Sequence, residues 1–507
     1  MVVAIVVMTM TDDSGVGSDG DDDDFKEYQT GGDSSDDDNN DAGVGSEGDG
    51  DDFKEYPMMA MVVVIVVMTP DDNDAGVGID GDDDDDDDAD ECKDDQTMMT
   101  MVVVIVVMTM CPALRGNPSV SSTTTVIMAD QQPDPYFDLI VDEDLAKNEW
   151  PKGLDEIKAK GTQCIAINAI TKENFEALKH IKTQSAGWTL ARAINTGVVN
   201  PTSFLGCHAG DLESYQVFGE SLFDKVIAEY HGGYDVKTGT HVTDMDSSKI
   251  TVDLNPEAKS KIISTRIRVA RNIATFPLNP GGTKETRLEI ADLMEKVFSG
   301  LEGDLAGTFY RHTTMTSEQQ QQLIDDHFLF RGKDKMQAAS GYHEHWPHGR
   351  GIFVSHTKEF LLWINEGDHL RIISMEKGGD VKRVFERLSR GIAAIEEGLK
   401  KELGIDDVFI RSPSHGCITC CPTNLGTGMR GSVHILVPKL IKSMGFEAID
   451  KFARERGCQA RGSTGEHSEV IDRIDISNWR RLGFAECDLV QDMIKCSNEL
   501  SKMEDDA

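Results

Sequence analysis

The sequence predicts an α+β protein: a small all-helical domain, then a larger antiparallel-sheet domain flanked by helices, preceded by a disordered acidic repeat tail. Three observations lead there. The composition breaks near residue 129, where acid runs and repeats give way to an ordinary mixture. Segments such as "NFEALKHIKT" and "SLFDKVIAEYHGG" then place apolar residues at helical spacing and end on glycine. In the second half, short alternating runs are followed by one long amphipathic segment.

The tail comes first in the chain. Residues 1–100 hold 33 acidic and 3 basic side chains, so most of the net charge of −40 belongs to them. "MVVAIVVMT" and "MVVVIVVMT" recur at residues 1, 61 and 101, between aspartate runs. Such apolar stretches are too short to span a bilayer, which takes roughly 20 residues. Met1–Met10 lacks the cationic start of a signal peptide. "DDNDAGVGIDGD" imitates a calcium loop, but Ala75 fills a ligand position and Asp82 replaces the closing glutamate. Residues 1–128 are therefore expected to be disordered and to carry no chemistry.

Residues 129–252 are expected to form the helical domain and 253–507 the sheet domain, with a polar linker around Pro256. "GIFVSH", "EFLLWIN" and "HLRIISME" read as successive strands of a meander. "GGDVKRVFERLSRGIAAIEEGLKKELG" reads as one helix: Asp380 caps it and Gly404 stops it. Val381, Val384, Phe385, Leu388, Ile392, Ile395 and Leu399 make its buried face.

The body is only mildly acidic, so nucleic acid is not an expected partner, and neither is a membrane. The ten cysteines lack both a small-domain disulfide pattern and a second C-x-x-C, so structural zinc is not expected. They predict a reducing compartment, the cytoplasm. The histidines of "YHEHWPH" invite a metal reading, but no matching cluster completes a site. A structural loop is expected there.

"NLGTGMRGSV" matches G-x-G-x-x-G-x-V through Gly426, Gly428, Gly431 and Val433. A dinucleotide fingerprint must follow a strand and open a helix, whereas Pro422 precedes this one and the alternating "SVHILV" follows it. A protein-kinase loop needs H-R-D and D-F-G downstream, and neither occurs. The neighbours tell more. "STRIRVARN" places Arg266 and Arg268 on one strand face, "INEGDHLR" joins Glu366, Asp368 and Arg371, and "ARGSTGEHSE" joins Arg461 and Glu466. Guanidinium forks in number suit a triphosphate in transfer, and the carboxylates suit a cationic co-substrate or magnesium.

With these residues the chain resembles the phosphagen (ATP:guanidino) kinases, most of all the arginine kinases. The resemblance covers roughly residues 135–503. It rests on "STRIR", "NEGDHLR", "CPTNLGT", "RGSTGEH" and "DISNWRRLG" occurring in the family's order. Taken singly, each arginine reads as an ordinary ion-pair partner and Cys421 as an inert thiol. Their joint order overturns that. The resemblance implies reversible transfer of the ATP γ-phosphoryl group, with Mg²⁺, to a guanidino substrate, most of all L-arginine. It implies ATP binding by Arg266, Arg268, His327, Arg371, Arg430, His434 and Arg461. It implies catalytic roles for Glu466, Cys421 and Glu366, and no protein-bound metal site. The guanidino substrate is expected at Ser203, Phe204, Leu205, Gly206, His208 and Tyr230, beside Cys421.

The chain also departs from the family. Gly367 stands where the family has its second, guanidinium-holding glutamate, and Thr202 and Lys335 where arginine kinases pair Asp with Arg across the domains. His208 replaces a loop tyrosine of arginine kinases. Taurocyamine is therefore the alternative substrate, and a nucleotide-binding scaffold with weakened catalysis the alternative of another class. Oligomeric state, monomer or homodimer, is left open.

Overall fold

The computed structural model describes residues 2–6, 60–70, 99–109, 148–330, 335–462 and 472–507. The chain divides into two units, one within residues 1–131 and the other holding all of 132–507. In the first, the three apolar repeats are strands, where the sequence had led us to expect disorder. They are β1 (Val2–Val6), β2 (Ala60–Pro70) and β3 (Met99–Thr109), antiparallel in the order β1-β2-β3. The reason is near-palindromy: antiparallel pairing sets Met61 opposite Met108, Met68 opposite Met101, and valine or isoleucine opposite the same between them. β-branched residues favour such pairing. The acid runs lie outside the described residues.

In the second unit, helices come first: α1 (Leu154–Lys160), α2 (Ile165–Ala169), α3 (Lys172–Leu178), α4 (Leu190–Val199), α5 (Leu212–Val217) and α6 (Asp224–Tyr230). Thr171, Thr189 and Asp211 cap α3, α4 and α5 with their side chains. Leu190, Ala193 and Ile194 of α4 bury against Phe175, Trp188 and Phe223 in a core that also takes in Ile418, Cys420, Cys421 and Leu425 from much later in the chain. The expected linker around Pro256 is instead a short helix, α7 (Pro256–Lys261). Asn255 accepts from the Ala258 amide at 2.7 Å, and proline at the first turn loses no bond it needs.

The sheet has eight antiparallel strands in the order β12-β13-β11-β4-β8-β7-β6-β5. They are β4 (Ile262–Arg271), β5 (Gly307–Arg311), β6 (Gly351–Ser355), β7 (Phe360–Ile364), β8 (Leu370–Lys377), β11 (Met429–Leu436), β12 (Cys458–Gly462) and β13 (Arg473–Asn478). A two-stranded ladder, β9 (Arg411–Ser412) with β10 (Gly416–Cys417), lies apart. The meander read from the sequence is β6-β7-β8. The helices around the sheet are α8 (Lys284–Phe298), α9 (Ser317–Asp325), α10 (Lys335–Ser340), α11 (Val381–Leu403), α12 (Pro438–Met444), α13 (Phe446–Arg454) and α14 (Glu486–Asp506).

The long helix expected from the sequence is α11. Asp380 accepts from the Arg383 amide, Gly404 ends the helix at φ +68°, and all seven predicted face residues are buried. They pack with α8 and α14 on one sheet face, against Ile267, Val269, Ile372, Val433 and Ile476. That face is the apolar core. On the opposite face a smaller apolar cluster with Ile352, Leu361, Trp363 and Ile373 covers β6, β7 and part of β8, and polar side chains occupy β4, β11, β12 and β13 beside it. Among the described residues no helix is long and apolar enough to cross a membrane.

Candidate active site

Residues paired across an antiparallel ladder share a face, and alternate residues of a strand share one too. Arg430 pairs with Arg268 and His434 with Ser264. Arg371 pairs with Ala270, and both His434 and Arg461 pair with Asp475. Arg266, Arg268, Arg371, Arg430, Arg461 and His434 therefore rise from a single face, the one turned away from the core. Five arginines from four strands converge because the register of the sheet puts them there.

Two side chains not singled out in the sequence complete this surface. Trp363 pairs with Arg371, and the guanidiniums of Arg266 and Arg371 lie 5.6 and 5.9 Å from its ring. Its indole N–H donates to Phe328 O at 2.9 Å, and His327, one residue before Phe328, is exposed. Asp475 lies 3.3 Å from Arg430 and 3.4 Å from His434. Burial raises the carboxyl pKa of Asp475, but Arg430, His434 and Arg461 outweigh it and hold it well below the usual range. Burial, with Arg430, Arg371 and Arg481 close by, pushes the Arg268 guanidinium well below the ordinary arginine range. Such a gathering of guanidiniums suits an anion.

Glu366 binds Arg371, with Nε at 3.1 Å and Nη2 at 3.0 Å. Asp368 is spoken for differently: its Oδ1 accepts from Asn272 at 2.7 Å and from the Cys420 amide at 2.9 Å, while burial raises its pKa. Cys421 is 3 % exposed, and its sulfur is 3.0 Å from the Thr423 hydroxyl. Two glycines of "NLGTGMRGSV", Gly426 and Gly428, serve close approach. A Cβ on Gly426 would sit 2.4 Å from Arg481 O and one on Gly428 2.8 Å from Ala270 O, and both have positive φ.

The segment 203–208 docks on the cysteine segment. The Ala209 amide donates to Cys420 O at 2.8 Å, and the Tyr215 hydroxyl to Thr419 O at 2.8 Å. Phe204, 40 % exposed, meets half-buried Tyr230 at 6.1 Å, and His231 beside it reaches Pro422 O at 2.9 Å. Ser203 and Leu205 are fully buried. Gly206 permits the turn: a Cβ there would lie 2.1 Å from Cys164 Sγ. His208 is buried, 2.9 Å from Thr196 Oγ1.

Glu466 lies outside the described residues, on the connection between β12 and β13. Where Thr202 and Lys335 replace the family's pair, the seam is held by Arg192 with Glu344, and by Asn195 Nδ2 donating to Ala339 O at 2.9 Å. In the histidine loop, His343 Nε2 is 2.7 Å from Gln337 Oε1 and His345 Nδ1 is 3.4 Å from Arg287.

Residues 161–228 match the family model "ATP:guanido phosphotransferase, N-terminal domain", and 289–507 its "C-terminal catalytic domain". Arginine kinase of Artemia franciscana is 41% identical over 358 residues, 70% of this chain and 97% of its own length. That of Limulus polyphemus is 43% identical over 66% of this chain and 90% of its length. That of Anthopleura japonica is 45% identical over 71% of this chain, which spans only 49% of that relative. Among solved structures, a lombricine kinase has TM-score 0.63 and 39% identity, over 68% of this chain and 92% of that one. The duplicated taurocyamine kinase of Schistosoma mansoni, substrate-free, has TM-score 0.63 and 34% identity, over 70% and 49%.

Proposed function

Because the chain belongs to the ATP:guanido phosphotransferase (phosphagen kinase) family, and is a phosphotransferase on that ground, we propose that it moves the γ-phosphoryl group of ATP reversibly to L-arginine. The observation that carries the reading is the single sheet face bearing Arg266, Arg268, Arg371, Arg430 and Arg461. Phosphoryl transfer needs positioning and charge stabilisation more than covalent help from the protein. The arginines would hold the phosphates, with Trp363, His327 and His434 at the rim. Mg²⁺ arriving on the nucleotide would neutralise further phosphate charge. Glu366 is already paired with Arg371 and Asp368 is buried in its own bonds, which fits a metal carried by phosphate oxygens.

In the forward step a guanidino nitrogen attacks the γ-phosphorus, the bond to the ADP oxygen breaks, and one guanidinium proton departs. Glu366 and Glu466 are the carboxylates we assign to orient the guanidinium and receive that proton. Cys421 would face it as a thiolate, supported by the Thr423 hydroxyl. Phe204 and Tyr230 would flank the substrate's tail. Cysteines that are not joined in disulfides among the described residues fit a cytoplasmic setting.

L-Arginine is favoured by the arginine kinases among the relatives. Taurocyamine is the second reading, supported by His208 in the 203–208 segment and by the structural likeness to a taurocyamine kinase. Steady-state ADP formation with Mg-ATP against L-arginine, taurocyamine, lombricine, creatine and glycocyamine separates them. The highest kcat/KM is expected for L-arginine; a higher value for taurocyamine would move the assignment there. With Gly367 unable to contribute a carboxylate, Glu366 carries more of the load. Glu366→Gln is expected to lower kcat roughly ten- to a hundredfold, the loss of one charge-assisted bond. A change under twofold would remove Glu366 from the chemistry.

A further inference from the structure

The tyrosine that opens "YHEHWPH" stands where the guanidino-side loops meet. Tyr342 lies just after α10. Its hydroxyl is 2.9 Å from Cys420 Sγ, and that sulfur is 3.2 Å from Gly367 O and 3.1 Å from Asp368 Oδ1. Its ring meets the His208 ring edge-on, centroids 5.2 Å apart. Tyr342 thus touches both the 203–208 segment and the 366–368 turn.

Gly367 faces the same ring. A Cβ built there would lie 3.3 Å from Tyr342 Cε2, 3.6 Å from Cζ and 3.7 Å from Arg371 Nη2. Gly367 is not among the glycines of positive φ, so its backbone does not demand glycine. What crowds a side chain at 367 is the tyrosine ring.

Resting on the functional reading above, we infer that Tyr342 is a specificity-determining wall of the guanidino pocket, its ring filling the volume into which a side chain at 367 would project. The pocket between His208 and Glu366 is then closed by an aromatic surface in place of a second carboxylate. A guanidinium is a planar, weakly hydrated cation that packs well against such a surface. The charge left to bind it comes from Glu366 on the same turn. Residues 342 and 367 therefore act as a pair: a carboxylate at 367 and a tyrosine at 342 compete for one space.

The test is a double-mutant cycle with Mg-ATP and L-arginine, using Gly367→Glu, Tyr342→Ala and the two together, with thermal unfolding checked for each. Gly367→Glu alone is expected to lower kcat/KM for arginine at least fivefold. Adding Tyr342→Ala is expected to raise it at least tenfold above that single variant, while KM for ATP stays within twofold throughout. Tyr342→Phe keeps the ring and is expected to leave the Gly367→Glu penalty unrelieved, in contrast to Tyr342→Ala. If Tyr342→Ala does not fold, Tyr342→Val carries the same comparison. Independent, multiplicative effects at the two positions would overturn the inference and leave the functional reading standing. A wild-type protein that turns over no guanidine in the panel would defeat the functional reading. In that case turnover gained by the double variant would uphold the pairing, and its absence would overturn it.

Discussion

Arg268→Ala is expected to cut turnover on the order of a thousandfold, the scale on which an arginine at a transferring phosphoryl group acts. Arg268 is 5 % exposed and surrounded by Arg430, Arg371 and Arg481. Those guanidiniums make a lining that suits nucleotide phosphates. Removing Arg268 gives up affinity and transition-state stabilisation. Steady-state kinetics measures that loss, and chemical denaturation without nucleotide shows whether the fold survives the substitution. A variant that lost stability and kept its activity would make Arg268 a structural residue.

Acid is expected to unfold this protein through its histidines well before the carboxylates titrate. Burial pushes the imidazoles of His208 and His369 down to about 3, from an ordinary value near 6.5. His231 and His312 are lowered to about 4, again by burial first. His369 shows the cause. Its Nδ1 accepts from the Ile273 amide at 3.0 Å while its Nε2 is 2.7 Å from Pro277 O. A proton on Nδ1 would set two donors face to face. These groups are neutral when folded and protonated when unfolded between about pH 6.5 and their folded values. The stability from keeping them neutral is therefore complete above about pH 6.5 and declines as pH falls. His208 and His369 alone contribute a slope of about 3 kcal/mol per pH unit near pH 5. Denaturant titrations from pH 7.5 to 5 measure it, and His369→Asn should remove about one proton from the slope. A flat profile would mean these rings are already protonated in the fold.

Much of the site was legible because its arginines occupy strands, where alternation alone places Arg266 and Arg268 together. Strand pairing was not legible. It takes the register to show that Arg430, Arg371 and Arg461 join that face and that Trp363 and Asp475 stand among them. The helix α11 could be read end to end, since cap, stripe and stop agree. The segment around Pro256 could not, because a short polar helix has no stripe to reveal it. The valine-rich repeats were passed over as tail, although their near-palindromy is a pairing signal in the sequence itself. Tyr342 was hidden for another reason: what matters about it is the neighbour Gly367, 25 positions away in the chain.

The most direct test of the central claim is ³¹P NMR of residues 1–507 incubated with Mg-ATP and L-arginine. The account predicts that the ATP γ-phosphorus signal falls as ADP signals and one new phosphoramidate resonance rise together, and that added excess ADP reverses the change. ATP left unconsumed, or phosphorus appearing only as inorganic phosphate, would contradict it.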